Sequence, residues 1–166
     1  VSWPYLESEL FQSRYVLAAY FLRGIPLVVE LGGHKTPITG FLGPGQVGIS
    51  IDPLLESGAV GRHFHLAGRF PDVQFPIPVR GPYGVVILGL ELHLADDGWA
   101  KLYELLRGAA RIVLGEPKHF PTSARQIVQI RENVPLREVL TVGVDLRGNM
   151  GCGDYAERRL HVYEPR

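Results

Sequence analysis

The sequence predicts an α/β fold, a mostly parallel sheet flanked by helices with one antiparallel strand near the C-terminus, and three observations carry that prediction. Leu27-Val28-Val29 and the run Tyr83–Leu90 (YGVVILGL) are apolar without alternation, the pattern of strands buried on both faces. From Tyr83 to Leu114 a strand, a helix and a strand follow one another through short connections, the unit from which parallel sheets are built. Near the end, Val139–Leu146 and Leu160–Tyr163 are joined by the glycine-rich GNMGCGD, and two strands so connected can pair antiparallel.

In chain order, Leu6, Leu10, Phe11, Leu17, Tyr20 and Phe21 recur at helical spacing between Pro4 and Arg23, with Gly24 as a stop and Ile25-Pro26 separating the helix from the strand at Leu27. The strand closes on Glu30, Gly32 and Gly33. Pro37, Gly40, Gly43, Pro44 and Gly45 then leave room only for a short helical turn. Val47–Ile51 is the next strand, ended by Asp52, which is expected to cap a short helix over Pro53–Ser57.

Arg62–Leu66 is a third, short strand carrying His63 and His65. Pro71, Pro76, Pro78 and Pro82 exclude a regular helix from Gly68 to Pro82, so this is a stiff loop of the length that often covers a site, or a rigid surface connection. Asp96-Asp97 starts a helix through Trp99, Leu102, Leu105 and Leu106 that stops at Gly108, followed by a strand at Arg111–Leu114 and a helix at Ser123–Glu132. No repeat and no linker divides residues 1–166, which read as one domain.

Lys plus Arg and Asp plus Glu number 17 each, so the whole-chain field argues against a nucleic-acid partner. No apolar run reaches membrane-spanning length, and the opening VSWPYLESEL lacks the basic start and apolar core of a secretion signal. The solitary Cys152 cannot form an internal disulfide and fits a reducing, cytoplasmic location. Starting at Val1, the chain is also compatible with one domain of a longer protein. The sequence leaves the oligomeric state open.

LVVELGG is the stretch with the most chemistry. Glycines after a buried strand let the backbone turn and approach a ligand, Glu30 can accept hydrogen bonds from an amine or hydroxyl, and Asp52 at the tip of the next strand is placed to hold two ribose hydroxyls. A nucleoside-containing cofactor is implied, although Gly-Gly after a strand also occurs as a plain turn.

In this order the features resemble the class I methyltransferase fold, a Rossmann-like architecture, from Leu27 to Pro117 and more weakly in the C-terminal strand pair. GRFPDVQF at Gly68–Phe75, YGVVILGLELHL at Tyr83–Leu94 and LYELLRGAARIVLGEP at Leu102–Pro117 are similar to the family's third strand exit, fourth strand, and helix with fifth strand. The resemblance implies S-adenosylmethionine as cofactor, held by Glu30, Gly32, Gly33 and Asp52, and methyl transfer to a small molecule. His34 and Thr36 stand where the family has further glycines, Arg69 where an acid or polar residue often meets the adenine, and Gly84 where an aspartate is common.

Methyl transfer needs in-line positioning of the acceptor and sometimes a base. Glu91 and His93 share a face at the fourth strand's exit and are the candidates for that work, against the plainer possibilities of a backbone cap and a surface histidine. His63 and His65, with His34 or His119, are a weak suggestion of a metal, since no carboxylate or i, i+4 partner completes the set. Cys152 has no adjoining basic partner to activate it. Two functions follow: an S-adenosylmethionine-dependent methyltransferase, or a non-catalytic domain of the same fold that serves as a binding or assembly partner. A nicotinamide-dependent oxidoreductase is disfavoured by the missing G-x-G-x-x-G turn.

Overall fold

The computed structural model describes residues 9–34, 36–89, 92–117, 120–145 and 157–166. Its elements are α1 (Glu9–Phe21), β1 (Leu27–Leu31), a single 3-10 turn (Ile38–Phe41), β2 (Val47–Ile51), β3 (Gly58–Val60), β4 (His63–Leu66), β5 (Tyr83–Ile87), α2 (Asp96–Arg107), β6 (Arg111–Pro117), α3 (Pro121–Asn133), β7 (Leu136–Asp145) and β8 (Glu157–Pro165).

All eight strands form one sheet in the order β3-β4-β2-β1-β5-β6-β8-β7. The pairs from β4 to β6 are parallel, while β8 runs antiparallel to both β6 and β7. This is the class I methyltransferase fold. Every residue of β1 and of β5 is buried, which is why neither strand alternates in sequence.

Two cores sandwich the sheet. Val29, Leu31, Ile49, Val85, Ile87 and Ile112 face α2 and α3 through Leu102, Leu106, Ile127 and Ile130. Val28, Val86, Val113 and Val162 face α1 through Tyr15, Ala18, Ala19 and Leu22. Each fully buried aliphatic side chain contributes roughly 1.5–3 kcal/mol, so the central strands dominate the stability.

The coverings are thinner than an α/β sheet usually has. Between β1 and β2 the chain makes only the 3-10 turn, and between β4 and β5 it makes no helix. Val73, Phe75, Ile77 and Val79 pack on the core while Gln74, Pro76, Pro78 and Arg80 are exposed, so this proline-rich segment lies on the sheet as an extended strap. Its prolines fix φ and remove donors that a helix interior would need, and the period of two then does what a helical face does elsewhere.

Three expectations are corrected, and one strand lies where none is expected. Pro53–Ser57 is not a helix: Asp52 accepts from Leu54 N at 2.8 Å through Oδ1 and from Leu55 N at 3.2 Å through its carbonyl, which closes a turn after Pro53 has set φ. The chain beyond it forms β3, antiparallel to β4, so a second reversed strand sits at the other edge of the sheet. The strand from Tyr83 ends at Ile87, with a bend at Leu88–Gly89. Finally, the C-terminal strands are longer than the hydrophobic pattern suggested, because Arg137–Glu164 and Arg111–Glu164 ion pairs, the latter at 2.6 Å, close the lower end of the ladder with polar residues. The first helix is described only from Glu9, and GNMGCGD with Cys152 lies outside the described residues. Among the described residues no helix is long and apolar enough to cross a membrane.

The tightest crossing in the sheet is at Gly115 of β6. A Cβ there would lie 2.5–2.9 Å from the carbonyl oxygen, Cα and carbonyl carbon of Leu88, whose carbonyl also accepts from Arg158 Nη1 at 3.1 Å. At Gly84 the nearest obstacle, at 2.7 Å, is the end of the Leu22 side chain, which can rotate. Gly115→Ala should therefore destabilise by about 1–3 kcal/mol in urea unfolding and Gly84→Ala by clearly less. Equal losses in the two variants would contradict this packing.

Candidate functional site

Because β1, β2, β4 and β5 run the same way, their carboxyl ends open on one edge, and a cavity of about 210 Å³ lies there. Leu31 and Gly32 supply the β1 wall, Ile51 and Pro53 the β2 wall, Gly68 to Phe70 the β4 exit, and Leu92 to Leu94 the β5 exit. The edge is held by backbone bonds that outlast the strands: Gly32 N donates to Ile51 O at 2.8 Å and Gly68 N to Asp52 O at 3.3 Å.

The glycines divide their work. Gly32 has φ +81° and open space where a Cβ would stand, so it turns the chain and presents bare backbone to the cavity. Gly33 is buried, and a Cβ there would collide with Ser50 Oγ and, at 2.6 Å, with Glu30 Oε2. Its smallness serves packing over the carboxylate, not the cavity. His34 follows at φ +50°, a left-handed conformation that histidine enters more readily than most side chains.

Glu30 points away from the cavity. Alternation along β1 sends Leu31 to one face and Glu30 to the α1 face, where its Oε2 accepts from Ile38 N at 2.9 Å and from the Ser50 hydroxyl. It is 1% exposed, and burial raises its pKa to about 7 against the lowering effects of the Ser50 and Ile38 hydrogen bonds and the Arg14 charge. Oε1 is buried and has no hydrogen-bond partner among the described residues.

Asp52 stands half-buried at the β2 tip between the cavity-lining Ile51 and Pro53, with Oδ1 engaged by Leu54 N. His93 is exposed on the rim. Glu91, its expected neighbour, lies outside the described residues, as does His119. The structure thus brings Gly32, Asp52 and His93 to one edge and sets Glu30 and Gly33 beneath it. Arg69 and Phe70 also line the cavity, whereas Val73, Phe75, Ile77 and Val79 of the strap pack on the core face.

Gln126 of α3 gives no signal in the sequence, because a glutamine on an amphipathic helix reads as solvent-facing. It is 8% exposed, and its amide bonds both backbone groups of Leu92 in the β5 wall. Ser50 was hidden likewise within the apolar GISI.

His63 and His65 share the α1 face of β4. Their hydrogen bonds go to Gly48 N at 3.1 Å through Nδ1 of His63 and to Thr39 Oγ1 at 2.8 Å through Nε2 of His65, and burial lowers both pKa values. Among the described residues no group of three or more His, Cys, Asp or Glu could hold a metal. A larger concavity, about 670 Å³, lies at the opposite end between α1 and the Phe41–Gln46 turn, but its described walls hold no acid or histidine, and the Gln46 amide is consumed by Leu22 O, Ile25 O and Gly43 N.

No protein-family model and no curated protein sequence matches the chain. Solved structures do match in fold. Over 95% of this chain and 80% of the other it superposes on magnesium protoporphyrin IX methyltransferase from Synechocystis PCC 6803 with bound S-adenosylmethionine, TM-score 0.61 at 16% identity. A TehB-like S-adenosylmethionine-dependent methyltransferase from Corynebacterium glutamicum gives 0.58 at 15% identity over 93% and 87% of the two chains. The 23S rRNA methyltransferase ErmE gives 0.56 at 14% identity over 96% and 69%.

Glu30 generates a pH prediction. Its folded pKa lies above its ordinary 4.5, so between there and about 7 the folded chain binds more protons than the unfolded one, and stability falls as pH rises through that window. Glu30→Gln keeps an acceptor for Ile38 N and removes the charge. Urea unfolding at pH 5 and pH 8 should show the unmodified protein losing stability relative to Glu30→Gln, by up to about 3 kcal/mol; a constant difference would show that Glu30 does not titrate in this window.

Proposed function

We propose that this chain binds S-adenosylmethionine in the cavity at the carboxyl ends of β1, β2, β4 and β5 and transfers its methyl group to a small-molecule acceptor. The observation that carries this is the position of the cavity: it lies at the reversal of strand order beside β1, the crevice where open α/β sheets take nucleotides, with bare Gly32 backbone on one side and the Asp52 carboxylate on the next strand.

The residues present suit a nucleoside. Leu31, Ile51, Phe70 and Leu92 offer apolar surface for an aromatic base, Gly32 admits close approach, and Asp52 accepts from two ribose hydroxyls. At about 210 Å³ the cavity is smaller than the roughly 300–1,000 Å³ of sites that enclose a whole drug-sized ligand, so the remainder of the cofactor extends along the open rim by His93. The bound cofactor supplies a methyl group on a sulfonium, which needs positioning more than activation. His93, together with Glu91, orients the acceptor and takes its proton. Equal numbers of acids and bases support a small molecule over a nucleic acid as acceptor, and the single cysteine supports a cytoplasmic location.

A second reading, a non-catalytic domain of the same fold, is favoured by the small cavity and by His34 in the turn. Calorimetric titration with S-adenosylmethionine and S-adenosylhomocysteine separates the two. Binding is expected, and Asp52→Ala should weaken it at least tenfold, the loss of roughly 1.5–3 kcal/mol per charged hydrogen bond, while unfolding changes by only about 1 kcal/mol from the lost turn contact. Unchanged affinity in a folded Asp52→Ala protein refutes the ribose contact; no binding by the unmodified protein selects the non-catalytic reading.

A further inference from the structure

Residues 92–94, which follow β5 and supply one wall of the cavity, belong to no helix and no strand, so no ladder of backbone bonds fixes them. A side chain does so instead. Gln126 Oε1 accepts from Leu92 N at 3.0 Å and Gln126 Nε2 donates to Leu92 O at 2.8 Å, closing a two-point contact that imitates the pairing of a neighbouring strand. Gln126 cannot wander, because Ile127 and Ile130 anchor α3 in the core and the amide itself is buried. From the other side Leu94 packs on Gly98 of α2, where an added Cβ would stand 3.3 Å from Leu94 Cβ.

We propose that Gln126 is the positioning residue of this cavity: its clamp on Leu92 sets the backbone of residues 92–94 and thereby the direction from which His93 enters the site. The role in ligand binding rests on the S-adenosylmethionine reading; the hold on the wall does not. A clamp on both backbone groups of one residue fixes its peptide planes, whereas a single hydrogen bond leaves a pivot. Gln126 touches neither the expected ligand nor the reacting atoms, so it acts only through the segment it holds.

Gln129, one turn further along α3, is an internal control. Its amide donates to Tyr103 Oη at 2.9 Å from a partly buried position, and neither residue lines the cavity. Gln126→Leu and Gln129→Leu should both lower the thermal midpoint. Hydrogen exchange at the Leu92 amide should accelerate at least about tenfold in Gln126→Leu, and the Kd for S-adenosylhomocysteine should rise about tenfold; Gln129→Leu should move neither. Gln126→Glu keeps an acceptor for Leu92 N and loses the donor, and should fall between. Unchanged exchange at Leu92 in folded Gln126→Leu overturns the clamp, faster exchange with unchanged affinity overturns its positioning role, and so does unchanged affinity in folded Gln126→Glu, where only one of the two bonds remains. If the unmodified protein binds no S-adenosylhomocysteine, the methyl-donor reading fails, and the exchange measurement alone decides whether Gln126 holds the wall.

Discussion

The buried carboxylate of Glu30 is the constraint around which the β1 exit is built. A carboxylate with no exposure must be satisfied by the protein or held protonated, and here Ser50 from β2 and the amide of Ile38 converge on a single oxygen. That convergence decides the local sequence. Position 33 must lack a side chain, residue 50 must be a small hydroxyl inside an apolar strand, and the chain after His34 must return closely enough for Ile38 to reach back under the turn. Gly32, between Glu30 and Gly33, offers its bare backbone to the cavity.

Elsewhere the protein replaces helix and ladder bonds with glutamine amides. Gln46 gathers Leu22 O, Ile25 O and Gly43 N, tying off the end of α1 where the first crossover is too short to pack a helix against it. Gln126 does the same for the unpaired wall after β5. Both amides carry a donor and an acceptor on one rigid plane and neither changes charge, so the short connections are secured without titratable groups. Glu30 is the contrasting case, where the same service is performed by a group that does titrate.

Much of the fold was legible because burial on both faces removes alternation: LVV and VVI read as central strands without any knowledge of their neighbours. The reversed strand near the C-terminus was legible from its glycine-rich connection. β3 was not, because Gly58-Ala59-Val60 is short and fully exposed, and its pairing with β4 is a tertiary event that no local pattern encodes. In the site, Gly32 and Asp52 could be placed by their position after strands. Glu30 could not, since periodicity tells which residues share a face but not which face opens toward a ligand, and that was settled only by where α1 and the 3-10 turn packed. Gln126 carried no signal because its partner is backbone, and backbone groups have no sequence.

The extended strap from Val73 to Val79 covers its core with a period of two. A helical covering follows a different rule, since each inserted residue rotates the following side chains by about 100° and three or four are needed to bring them back near the same face. The strap obeys parity: one extra residue would turn Ile77 and Val79 outward and prolines inward, whereas two would return every later residue to its side. Length variation in this part of the chain is thus constrained to even steps, and the connection between β4 and β5 can lengthen or shorten in pairs of residues while the sheet beneath it stays covered.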